Sequence, residues 1–157
     1  MKKILLVLAG ISALAAPLAL AEEADNKTYL FVETATKAEL QDGKLVLYGV
    51  DDEVSVFSDR PYRSAGVISR DHFFDVWSQG ENSFDVDPPN AALSGEIDEE
   101  SHVLIIEISS PTVDGEKVSY SYDTIQGDEV QAMDNVIMFI DSFSWRPPYT
   151  GPDGGLP

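Results

Sequence analysis

The chain has 157 residues, a formal charge of −18 and no cysteine. Disulfides, thiol catalysis and thiolate metal sites are therefore excluded, as is lipid attachment at an amino-terminal cysteine. A field of that sign repels phosphate backbones and disfavours anionic membrane surfaces. Nucleic acid is thus not an expected partner, whereas cations and basic protein surfaces are what the field attracts.

Met1, Lys2 and Lys3 form a basic start, Ile4 to Leu20 is almost wholly apolar, and Ala19-Leu20-Ala21 precedes Glu22 and Glu23. This is the pattern of a secretory leader over residues 1–21, cleaved after Ala21, with the periplasm or the medium as the expected address. The apolar run is short for a bilayer span, and no later stretch reaches that length, so no membrane span is expected after cleavage. Cleavage leaves 136 of the 157 residues and takes the formal charge from −18 to −20. That length suits one core, expected over residues 22–141.

The first expected strand is 28–34, followed by a polar connection to Asp42-Gly43, a turn signal. Residues 44–50 and 53–57 read as two strands of a hairpin. Ser69 is placed as a helix N-cap with Asp71 in the first turn. Phe73, Phe74 and Trp77 share one apolar stripe, which predicts a short helix over about 70–79. A loop with Pro88-Pro89 leads to a short strand, 91–96. The apolar run within 102–109 suggests a central strand covered on both faces. Residues 111–115 read as a turn, 117–124 as an alternating strand, 125–135 as an acidic loop and 136–141 as the last strand. Residues 142–157 hold four prolines and three glycines and are expected to be an irregular tail. The fold class that follows is mostly β: an antiparallel β-sandwich or a related partly open barrel, with one short helix.

Chemistry-bearing residues concentrate in two places. Asp59, Arg60 and Arg63 surround Pro61 and Tyr62. The two guanidinium groups suit a carboxylate or phosphate, and equally suit ion pairs that fix an irregular segment. From His72 and Trp77 the chain runs to Asn82, Ser83, Asp85, Asp87 and Asn90, with oxygen donors at close intervals. Asp85, Asp87 and Asn90 are the candidate calcium ligands, and calcium is the one cofactor the sequence suggests. The EF-hand glycine and final glutamate are absent, and Asn and Asp at these intervals also build turns. No nucleophile elbow or phosphate-cradling glycine loop occurs. His72 and His102 are the only histidines, so no catalytic residue is assigned.

Residues 57–66 (FSDRPYRSAG) and 77–94 (WSQGENSFDVDPPNAALS) resemble signature stretches of an uncharacterised family of small exported bacterial proteins. The resemblance spans roughly residues 55–141 and implies a shared fold, without an activity to carry to named positions. The expectation is an exported acidic β-domain that binds or interacts rather than catalyses. A calcium-dependent structural protein and a hydrolase centred on 59–63 and 71–90 are the alternatives.

Overall fold

In the computed structural model, the described residues are 28–58, 63–80 and 83–144, with side chains described to residue 140. The expected leader and residues 145–157 of the expected tail lie outside them. Eight strands and one helix follow one another: β1 Thr28–Gln41, β2 Lys44–Tyr48, β3 Glu53–Ser58, β4 Ala65–Ser69, α1 Arg70–Trp77, β5 Asn90–Ile97, β6 Glu100–Asp114, β7 Lys117–Gln126 and β8 Ala132–Ser144. All pairings are antiparallel, in the order β2-β7-β6-β5-β8-β1-β3-β4, and β2 also pairs with β1. The β1–β2 contact turns the sheet back on itself, a partial ring closure through β1, β2, β7, β6, β5 and β8. The architecture is the mostly β, sandwich-like one expected from the sequence.

Several expected boundaries are corrected. β1 does not stop at residue 34; it continues to Gln41, because Ala38 and Leu40 are buried in a second apolar phase. Tyr29, Phe31, Glu33 and Ala35 point inward, and the inward phase then shifts to Ala38 and Leu40. β8 changes phase at the same level, with Met133 and Val136 buried and Asp134 and Asn135 exposed between them. The β1–β8 register is unbroken from Phe31↔Ile140 to Glu39↔Ala132, so the two strands must change phase together. Asn135 takes a φ of 50° at that point, and the β5–β8 register slips between Ser94 and Glu96.

The expected 44–57 hairpin is absent. β2 lies beside the second half of β1 (Lys37↔Tyr48) and β3 beside the first half (Val32↔Ser55). Gly49, with a φ of 61°, makes the break: a Cβ there would stand 2.6 Å from the Thr36 hydroxyl. Thr36 donates that hydroxyl proton to the Tyr48 carbonyl at 2.8 Å. β6 runs through Pro111 to Asp114, with its irregularity at Ser109–Thr112 rather than a turn. It is covered on one face only, since Val103 is 58% exposed while Leu104, Ile106 and Ile108 are buried. β7 extends to Gln126 and β8 begins at Ala132, which shortens the expected acidic loop. β8 also takes in residues 142–144. The helix ends at Trp77, two residues early, with Ser78 as its cap.

Two turns generate opposite expectations. Gly49→Ala places a side chain in the left-handed region and against Thr36, and should cost about 1–3 kcal/mol. The β5–β6 turn puts Asp98 and Glu99 at φ of 52° and 67°. A type I′ hairpin favours glycine at the second of these positions. Glu99→Gly should therefore raise stability by about 0.5–1 kcal/mol. Thermal unfolding of the two variants beside the parent checks both directions.

Candidate functional site

Two features stand out: a buried polar group under the helix and an apolar stretch on the outer face of the sheet. The first begins at Ser69, whose hydroxyl accepts from the His72 amide at 3.2 Å and starts α1. Arg70, Phe73, Phe74 and Trp77 follow at helical spacing and turn one stripe toward the sheet. Phe73 packs 5.0 Å from Phe31 and 5.8 Å from Trp77, ring centre to ring centre. Trp77 also lies 5.7 Å from Tyr120 and 4.9 Å from Phe84. Tyr120 joins this ring cluster to Glu33.

Glu33 is fully buried, and its Oε2 accepts from the Tyr120 hydroxyl at 2.7 Å. Its Oε1, the Arg70 Nε and the Trp77 Nε1 are buried without a hydrogen-bond partner among the described residues. Burial pushes the Glu33 carboxyl up from 4.5 to about 7, against the opposing effects of the Tyr120 hydrogen bond and the Arg70 charge. Burial, the Glu33 charge and the same hydrogen bond hold the Tyr120 phenol well above its usual value. Arg70 is tied elsewhere: Nη1 donates to the Val50 carbonyl at 3.1 Å and Nη2 to Asp52 Oδ1 at 3.0 Å. Its amide also donates to the Asp52 carbonyl at 2.8 Å, so the link between β2 and β3 is fastened to the start of α1. The Arg70 side chain is 9% exposed and that of Asp52 89%, so this ion pair joins the interior to the surface.

Through Arg70 the group ties the start of the helix to the link between β2 and β3. The Glu33 carboxyl, 1% exposed and with one oxygen on Tyr120, has no contact with bulk water. Sequence reasoning passed over Glu33 and Arg70, and placed Tyr120 in the alternating strand 117–124 without a polar role. Glu33 carried a signal, since it sits in the inward phase of Tyr29, Phe31 and Ala35. Arg70 is in the same i, i+3, i+4, i+7 stripe as the aromatic residues.

The residues singled out from sequence fall differently. Asp59, Arg60 and Asn82 lie outside the described residues. Arg63 is exposed, with a φ of 48°, ahead of β4. His72 is half-buried near the start of α1, and Trp77 is buried at its end. Ser83 is buried, and its carbonyl accepts from the amides of Val86 and Asp87, each at 2.9 Å. That turn seats Phe84 against Trp77 and leaves Asp85 and Asp87 exposed, with Asn90 exposed at the start of β5. Trp77 and the Ser83 turn are thus brought together. Among the described residues, no three His, Cys, Asp or Glu side chains gather where they could hold a metal ion.

The second feature comes from the outward phase of the strands. Register places Val67, Ser55, Val32, Phe139, Ala92 and Ile105 side by side across β4, β3, β1, β8, β5 and β6. Ile137 and Val103 flank this row on one side and Phe57 on the other. Val67 is 52% exposed, and Phe139 and Ile137 are each 40% exposed. A cleft of about 480 Å³ opens at the β4 end, lined by Val32, Ser55 and Val67 and by Asp51, Asp52 and Glu53. The Thr34 hydroxyl donates to Asp51 at its edge.

The raised Glu33 value fixes a pH dependence. Burial favours the neutral form in the fold, so its contribution is fully present below pH 4.5 and is lost as pH rises through about 7. Between pH 6 and pH 8 the loss should be about 1 kcal/mol. The melting point of Glu33→Gln should fall less than that of the parent over this interval, and equal falls would remove Glu33 as the cause.

Compared with known proteins, the chain matches no family model, no curated protein and no solved structure, and a functional reading rests on its own geometry.

Proposed function

We propose that the mature chain is an exported, non-catalytic binding module that engages its partner through the outer face of the sheet. The observation that carries this reading is the outward apolar row from Val67 through Val32 and Phe139 to Ile105. Apolar side chains scattered singly on a surface need no explanation, but five of them in one six-strand row, broken only by Ser55, do. The leader pattern of residues 1–21 supports export. The interior supports a binding role by contrast: among the described residues, the one carboxyl pushed far from its usual value, Glu33, is buried and bonded to Tyr120, away from solvent.

An uncharged apolar dye, Nile red, tests the face without interference from the protein's charge. Residues 22–157 should bind it saturably. A variant carrying Phe139→Ser and Ile137→Ser should lose at least fivefold in dye affinity while keeping its β circular dichroism. Undiminished dye binding by the folded variant would remove the face from the reading. Turnover of a substrate by the purified protein would end the non-catalytic part.

A further inference from the structure

The same face specifies the chemistry of what covers it. β3, β4, β5, β6 and β8 contain no lysine or arginine. The one basic residue of β1, Lys37, lies in its far half and is bonded to Glu39 at 2.6 Å. Among the described residues, no lysine or arginine therefore lies within the apolar row, and the exposed Arg63 stands ahead of β4. Its borders are acidic at both ends. At the β4 end stand Asp51 and Glu53, beside Asp52, whose carboxylate is already paired with Arg70, around a cleft whose other walls include Val32 and Val67. At the β6 end Glu107 and Asp123 are direct cross-strand partners and both are exposed. Like charges placed opposite each other on a sheet repel, and a cation set between them relieves that repulsion.

We propose, resting on the binding-module reading, that this face takes a cationic amphipathic polypeptide segment. Its apolar side covers Phe139, Ile137 and Val32. Its lysine or arginine side chains run outward to the two acidic borders, their alkyl stems lying over Val67 and Ile105. A second copy of this chain is a poor occupant, because it would bring the same acidic borders against each other. An anionic lipid surface fails for the same reason.

The test uses three labelled peptides with residues 22–157, followed by fluorescence anisotropy. One alternates leucine and lysine at helical spacing, one replaces its lysines by glutamine, and one is the lysine peptide scrambled to abolish its apolar face. The amphipathic lysine peptide should bind at least tenfold more tightly than either of the others. Its advantage over the glutamine peptide should shrink between 50 and 300 mM sodium chloride. Phe139→Ser with Ile137→Ser should weaken it at least tenfold, as should Asp51→Asn with Glu53→Gln. Should the first pair fail to fold, Val67→Ser on the edge strand serves in its place.

Equal binding of the scrambled peptide would reduce the effect to general attraction by the −20 charge and overturn the proposal. Equal binding of the glutamine peptide would overturn the cationic partner while leaving the docking face in place. The face itself fails separately, through undiminished dye binding by the serine variant.

Discussion

β1 is the strand on which every other part of the sheet depends. It pairs with β8 along nearly its whole length, with β3 through its first half and with β2 through its second. Three partners are possible because its inward phase shifts between Ala35 and Ala38, so that the two halves present apolar residues in different directions. β8 is held in unbroken register to β1 and has to turn at the same level. β5 answers with a slip at Gly95, where a Cβ would stand 2.8 Å from that of Met133. A bend carried across three adjacent strands curves the sheet enough for β2 to reach β1. Gly49 then frees β3 to leave on the other side.

The curved sheet leaves a concave face that its own side chains do not fill, and α1 supplies the missing volume. Phe73, Trp77 and then Phe84 bring aromatic rings over Phe31 and Tyr120. Arg70 acts as the fastening, because its guanidinium bridges the helix start, the Val50 carbonyl and a surface aspartate. The cost of this arrangement falls on Glu33, which is covered along with everything else beneath the helix. Its neutral form is tolerated there, and its ionised form is opposed by desolvation more than it is favoured by Tyr120 and Arg70. The helix seat and the protonation state of one acid are thus linked through packing.

The sequence conveyed the class of the fold because strand periodicity and turn residues are local properties. The Asp42-Gly43 turn, the Ser69 cap and the stripe of α1 could all be read directly. Pairing could not. Residues 44–50 and 53–57 look like a hairpin because only Asp51 and Asp52 separate them. Whether they join each other or divide along β1 depends on a contact between Gly49 and Thr36, thirteen positions apart. The outer face was hidden for a related reason. Val136 to Ile140 is continuously apolar, so alternation does not tell its inner residues from its outer ones, whereas Ile137 and Phe139 stand half-open on the outside. Glu33 was overlooked because the chain holds 28 acids, and one more carries little weight until its place in the inward phase is seen.

The covered carboxyl also gives folding a chemical balance of its own. In the unfolded chain at pH 7, Glu33 has already released its proton, as an ordinary glutamate does. In the folded chain, with its value near 7, it holds that proton about half the time. Each molecule that folds at neutral pH therefore withdraws about half a hydrogen ion from its surroundings on account of this one residue. The heat of folding then includes the ionisation of whatever buffer supplies that hydrogen ion, and changes when the buffer is changed at constant pH.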